Sequence, residues 1–388
     1  MLDLKLLHDQ LAGLSQDLGT QAQDRSGRVQ AALALLARAD GLGDRLDEYQ
    51  ELNDKPWRLA IPTGGVTETT PLPTFKGPST VVATDGSQIT PSHHEIALCY
   101  LINIGRILYT YGTGELPLQR SVPYLHHGDE LRPKVGERRQ PMTEELLALQ
   151  RNQQESAALV ELAWLAVNRG HPSLALVDGT LIQFMLEKND QQRDVFLRSH
   201  LDDLDQLRGL RVPVAGYLSN SRSADVVNLL RLVACPKERL ECSTCAHHEP
   251  PCEEGHLPLH DRRLWAQKLK PGERSPLFYS SSPILKYYPD DQKILFFYLH
   301  VGSEVARLEV PRWVADDPEL LARVHALAYD QAQKGMGYPI TLQEAHNQAV
   351  VSREDRARFF SLLSQRMAAA GVQVAVSNKQ LKKRAGVV

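Results

Sequence analysis

The chain has 388 residues, with 44 lysines and arginines against 47 aspartates and glutamates, 42% apolar and 23% charged; this composition excludes disordered and fibrous classes. The formal charge of −3 creates no global field toward nucleic acid, so binding of that kind would need a local basic face. The longest late apolar run, Ile294 to Leu299, falls far short of the ~20 residues of a membrane span, and the opening MLDLKLLHDQ lacks an apolar core, so no membrane association and a cytoplasmic location are expected. At roughly 150 residues per domain, the length allows two or three units.

From Met1 to about Leu52, residues such as Leu4, Leu7, Leu11, Leu14, Leu18, Val29, Leu33 and Leu36 recur at helical spacing. This predicts a helical arm over residues 1–60, of the kind that dimerises or braces a domain. Residues 62–78 are dense in Pro, Gly and Thr and read as a linker or surface loop. A main domain over 79–388 follows. Ser79 to Asp85, Glu95 to Ile104 and Arg106 to Gly112 read as three neighbouring strands, which implies an antiparallel meander. After an irregular Pro-rich segment comes a helix over about Thr143 to Asn168, its first turn acidic as suits a helix N-terminus. Ser173 to Asp178 is a continuous apolar strand. Glu187 to Gly209 reads as a helix, Arg211 to Leu218 as a strand and Ser223 to Val233 as a helix, and this alternation predicts parallel pairing. Strands at Lys293 to His300 and Val305 to Val310 precede helices at Pro318 to Lys334, Thr341 to Ala349 and Arg353 to Ala370. The order predicts an α/β fold: an RNase H-like mixed sheet flanked by helices, with an N-terminal helical arm and a Cys-rich insertion over 235–260.

Two acids share one pattern. Asp85 in ATDGS and Asp178 in VDGT each end an apolar strand before Gly and a small hydroxyl residue. One Asp-Gly reads most readily as a turn. Two at strand ends point to a carboxylate pair at one sheet edge, the oxygen donors that Mg²⁺ or Mn²⁺ prefers. A third carboxylate is sought on the helix that runs antiparallel to the 173–178 strand. Asp178 lies roughly 17 Å from the connecting turn at ~3.3 Å per strand residue, and the matching level at ~1.5 Å per helical residue is about eleven residues back, near position 157. Glu155 is the nearest acid, and Glu161, about half that distance from the turn, ranks second. An exposed helical glutamate is the alternative for either. In GYPITLQEAHNQAVV, a Pro-started helix places His346 beside Leu342 and Ala349. A histidine there is more often a packed core residue. Its functional reading is a metal ligand or a proton donor to a leaving group, with Tyr338 orienting a phosphate or water.

The five cysteines are at 99, 235, 242, 245 and 252, and the last four form C-x6-C-x2-C-x6-C with His247, His248, His256 and His260 nearby. A disulfide framework is not distributed in this way. Cys235, Cys242, Cys245 and Cys252 fit a structural tetrahedral Zn²⁺, with metal-free reduced thiols as the alternative and an iron-sulfur cluster as a more remote one.

The segments VVATDGSQI, LALVDGTLI, VAGYLSNSRSADVVNLLR, DRRLW followed by PGERSPLFY, RLEVPRWVA and GYPITLQEAHNQAVVS occur in this order over roughly residues 80–360. Together they resemble the NurA family of DNA-repair nucleases. The resemblance implies an RNase H-like, manganese-dependent nuclease, a homodimer that works with a HerA-type hexameric ATPase in DNA end resection and double-strand-break repair. It implies 5′-to-3′ exonuclease action on DNA, with endonuclease activity on single strands, so that both single- and double-stranded DNA are partners. On the matching motifs it implies Asp85 and Asp178 as metal ligands, a helical glutamate as the third, and Tyr338 and His346 completing the site. The family spacing suits Glu161, whereas the R-x-x-x-E context suits Glu155. Asp261 resembles a further acidic position. Two Mn²⁺ or Mg²⁺ ions, bridged by Asp85, would then activate water and flank the scissile phosphate. Arg222, Arg231 and Arg274 lie in family-like motifs and would contact backbone phosphates, solvated surface arginines being an equal alternative. The rival reading is a non-catalytic DNA-binding or motor-adaptor protein on the same fold, with the Cys loop as its interaction module. A third reading is a structural dimer whose Asp-Gly segments are only turns.

Overall fold

A computed structural model of the chain describes residues 4–91, 98–135, 138–245, 252 and 255–372; His247, His248 and the end of the expected main domain, 373–388, lie outside them. In chain order the main elements are α1 (Leu4–Leu36), α2 (Gly43–Glu51), β1 (Ala60–Pro62), β2 (Ser79–Ile89), β3 (Cys99–Tyr111), β4 (Leu118–His127), α3 (Glu144–Asn168), β5 (Ser173–Asp178), α4 (Arg198–Gly209), β6 (Val214–Leu218) and α5 (Asp225–Ala234). They continue with α6 (Cys242–Cys245), α7 (Asp261–Lys268), β7 (Phe278–Ser280), β8 (Ile294–His300), β9 (Val305–Pro311), α8 (Pro318–Lys334), α9 (Ile340–Ala349) and α10 (Arg353–Ala369). Among the described residues no helix is long and apolar enough to cross a membrane.

The chain divides into two compact units, Met1–Pro73 with Leu218–Leu285 and Lys293–Glu309, and Thr74–Tyr217 with Lys286–Gln292 and Val310–Val388. In the first, strands run in the order β1-β7-β8-β9 and an aromatic core of Trp265, Phe278, Phe296 and Tyr298 is fully buried. The expected single helical arm is two helices. The chain turns at Gly41, whose φ of +103° suits only glycine. Ala32 and Leu36 of α1 and Tyr49 of α2 join the same core.

The second unit is built on the sheet β4-β3-β2-β5-β6. β2, β3 and β4 pair antiparallel, and β5 and β6 add in parallel through the helical crossovers α3 and α4. A three-strand meander extended by two parallel strands is the RNase H-like mixed sheet the sequence predicts. The three meander strands differ from those read in the sequence. Glu95 to Ile104 and Arg106 to Gly112 are not two strands, because β3 runs straight through Gly105 and Arg106. The third strand is β4, from the segment read as irregular. It contains Pro123, which lacks the N–H for a ladder and is tolerated because β4 is the sheet edge. β2 does not end at Asp85 either. Each of its residues from Asp85↔Gly105 to Ile89↔Leu101 has a β3 partner, so ATDGS is strand rather than turn. The expected helix Glu187 to Gly209 is regular only over α4, being preceded by a π-helical stretch at Arg193–Leu197.

α3 begins where Thr143 accepts a hydrogen bond from the Leu146 amide, satisfying one of the open donors of the first turn. Its Leu147 and Ala158 pack on Tyr100, Ile102 and Ile104 of β3.

Candidate active site

In the parallel register of β2 and β5, Thr84 pairs with Val177, so Asp85 and Asp178 follow as neighbours on adjacent strands. Side chains alternate across a strand, and the contacts follow that rule. Asp85 and Ser87 face α9: Asp85 Oδ2 lies 2.8 Å from His346 Nδ1 and Ser87 donates to the Ala349 carbonyl at 2.5 Å. Thr84 and Gly86 face α3: Thr84 donates to the Glu155 carbonyl at 2.9 Å, and a Cβ placed on Gly86 would lie 2.3 Å from Glu155 Oε1. Glu155 thus reaches the acids over a strand position that has no side chain.

α9 is seated by a second glycine. A Cβ on Gly105 would lie 2.1 Å from the Ala345 carbonyl oxygen and 2.7 Å from the Ala349 amide nitrogen, so only glycine admits the helix at this depth. Asn103 donates to the carbonyls of Gln348 (3.2 Å) and Ala349 (2.8 Å) at the end of α9, where intrahelical partners run out. Tyr338 hydrogen-bonds Asp178 and meets Tyr217 edge to face, ring centroids 5.6 Å apart.

The electrostatics are those of crowded acids. Burial pushes Glu155 up from 4.5 to about 7, with Asp85 and Asp178 adding to the rise and Arg151 opposing it. Burial and Asp85 also raise Asp178, against the Tyr338 hydrogen bond. Burial and Asp178 push the Tyr338 phenol up in turn. Arg151 Nε stands 3.1 Å from Glu155 Oε1 one helical turn away, yet that buried oxygen receives no aligned hydrogen bond. Asp85, Glu155 and Asp178 line one cavity of about 110 Å³ with Thr84, Asn152 and Thr180. An under-bonded buried carboxylate oxygen facing two further carboxylates is a donor set that fits a hard divalent cation. Among the described residues no group of three or more His, Cys, Asp or Glu side chains is already gathered as a ligand set.

Five of the sequence candidates, Asp85, Glu155, Asp178, Tyr338 and His346, therefore come together. Glu161 lies elsewhere, exposed and paired with Arg106 at 2.6 Å. Arg151 entered the sequence reading only as the R of the R-x-x-x-E context of Glu155, and Tyr217, Asn103 and Gly105 were missed; a lone glycine amid the apolar run LINIGRILYT was the available signal for Gly105, since such a glycine marks a close backbone approach.

The remaining candidates belong to the first unit. Asp261 is fully buried and accepts from the Val226 amide (3.0 Å), the Val227 amide (2.8 Å) and the Tyr298 hydroxyl (2.7 Å), which caps the start of α5. Arg231 is not on the surface: it is buried, stacked 4.1 Å over Trp57 and 3.9 Å from Cys252 Sγ. Arg274 is half-buried beside Phe297 and donates to the Ser275 carbonyl at 2.9 Å. Arg222 is exposed. Cys235, Cys242, Cys245 and Cys252 line one small cavity.

A search of curated proteins finds no match. Among solved structures, the catalytic domain of human Endonuclease V aligns with 13% identity over 86% of this chain and 97% of that one, at a TM-score of 0.32. The NurA domain profile matches residues 79–351, the stretch that carries all five converging side chains. The chain belongs to the NurA family of nucleases.

Proposed function

We propose that the protein is a metal-dependent DNA nuclease that hydrolyses phosphodiester bonds at the cavity between Asp85, Glu155 and Asp178. The observation that carries this reading is the meeting of three carboxylates, Glu155 and Asp178 both pushed up by burial and by Asp85, in a chain of a nuclease family. Such a cluster repels itself unless cations share it. Mn²⁺ or Mg²⁺ ions, a pair by analogy with other carboxylate nucleases, would be held by Asp85, Asp178 and Glu155; bound there, they would supply Lewis-acid charge for the attacking water and the scissile phosphate.

The chain's own groups do the positioning. Asp85 is fixed within a paired strand and Asp178 is oriented by Tyr338. With Nδ1 engaged by Asp85, His346 keeps Nε2 for passing a proton to the leaving oxygen. Arg222 and Arg274 would hold backbone phosphates without reading sequence. Action on both single- and double-stranded DNA, 5′-to-3′ polarity, a homodimeric state and partnership with a HerA-type hexameric ATPase in end resection follow from the family and stand as parts of the same proposal.

The test is Mn²⁺-dependent cleavage of 5′- and 3′-labelled single- and double-stranded DNA by the purified protein beside Asp85→Asn. Cleavage by the parent and silence in the variant is the expected outcome. Equal cleavage by both would overturn the proposal, and metal-independent DNA binding without turnover, with or without the ATPase, would establish the adaptor reading instead.

A further inference from the structure

The first unit holds a second cluster of metal-ligating side chains, independent of the carboxylates. Cys235, Cys242, Cys245 and Cys252 line one cavity of about 20 Å³ with Trp57 and Arg231, and none of them is in a disulfide. Cys242 and Cys245 sit three apart on the short helix α6, hence on one side of it. Cys242 and Cys252 are buried, as free cysteines commonly are; what points to a shared ligand is that four of them converge on one cavity.

The surroundings resemble a second shell. Arg231 donates to Cys252 Sγ at 3.9 Å while its guanidinium is fixed over Trp57, and Lys237 hydrogen-bonds Cys245. Two cations on the sulfurs would offset the double negative charge of a four-thiolate zinc centre. The N-terminal arm grips the same loop: Arg45 of α2 donates to the carbonyls of Leu232 (3.0 Å), Cys235 (3.2 Å) and Lys237 (2.5 Å), and Glu48 accepts from the Leu240 amide at 2.8 Å. Arg45 and Glu48 thus hold the segment around Cys235 against α2.

We propose that Cys235, Cys242, Cys245 and Cys252 bind one structural zinc ion, and that this ion fastens the helical arm to the cysteine loop. Binding converts four thiols and one Zn²⁺ into a four-thiolate zinc centre and releases four protons, the ion drawing in sulfurs that are not yet gathered as a ligand set. All four coordination positions are taken by protein, so the centre is closed and non-catalytic.

The experiment is elemental analysis of the full chain purified without chelator, followed by release of metal with a mercurial thiol reagent. About one zinc per chain, retained by Cys99→Ser and lost from Cys242→Ser, is expected for a single tetrahedral site. Chelation should lower the melting temperature by about 5 °C or more and expose α2 to limited proteolysis. Should Cys242→Ser fail to fold, Co²⁺ exchanged into the parent protein decides instead: the intense visible bands of tetrahedral cobalt-thiolate support the site. Zinc far below one per chain with all thiols reactive, iron and sulfide in place of zinc, or zinc retained by Cys242→Ser would each overturn it.

Discussion

His346 and Asp85 lie 261 positions apart in the chain, and the imidazole Nδ1 is 2.8 Å from the carboxylate Oδ2. The contact joins the first strand of the second unit's sheet to a late helix. His346→Ala is expected to lower cleavage by about 100-fold, the ordinary size of a lost proton-transfer group. DNA affinity should be unchanged, since in the proposed role the residue serves the reacting bond rather than holding the DNA backbone. Single-turnover cleavage measured beside DNA binding separates the two, and a loss of affinity alone would remove His346 from the chemistry.

Gly105 sets the depth of α9. In Gly105→Ala the new Cβ meets the backbone of Ala345 and Ala349 at 2.1 and 2.7 Å, and backbone cannot swing aside as a flexible side chain does. A loss of about 2–3 kcal/mol is expected, as for other overpacked sites, together with a larger loss of cleavage than stability explains. Thermal unfolding and activity of the same preparation check both.

Glu155 makes metal-free stability depend on pH. Its pKa rises from 4.5 to about 7 on folding. Below about pH 4.5 both states hold the proton and the residue costs nothing. As pH climbs toward 7 the unfolded chain gives up the proton while the folded chain keeps it, so stability is lost, by up to about 3 kcal/mol above pH 7. Glu155→Gln should abolish that slope and be more stable than the parent at pH 8 without metal. Urea unfolding at pH 5 and pH 8 measures it, and identical pH slopes would contradict the assignment.

Glu161→Gln should behave oppositely to Glu155→Gln in activity. Its partner Arg106 is 2.6 Å away but the Glu161 side chain is 63% exposed, so the pair is worth no more than about 1 kcal/mol. Full cleavage by Glu161→Gln and none by Glu155→Gln is the expected pattern.

Mn²⁺ titrated into the parent protein at pH 8 should raise its melting temperature by mass action on the folded state. The rise should vanish in Asp178→Asn. An equal rise in both would place the ion elsewhere.

Much of this site is legible in the sequence. Asp85 and Asp178 stand out because each follows a β-branched or apolar run, and Glu155 was found by matching helix rise to strand rise from one turn. Two features resisted that arithmetic. β4 is hidden because Pro123 and an exposed, mostly polar face look like a loop, and only its position at the sheet edge makes a strand there acceptable. The end of β2 was misplaced because Asp-Gly favours turns locally, whereas pairing with β3 through Ile89 overrides that preference. Arg231 defeated inspection for the opposite reason: a guanidinium buried on Trp57 and beside Cys252 cannot be told from a surface arginine by spacing.

The sheet acts as a partition with Asp85, Asp178 and His346 on one side and the Glu155 helix on the other, and Gly86 is the opening between them. Neither helix alone can assemble the chemistry. α3 must dock on one face to bring Glu155 to the two aspartates, and α9 on the other to bring His346 to Asp85, which makes turnover a late property of folding. A partly folded chain would carry the acidic strands yet lack the assembled site.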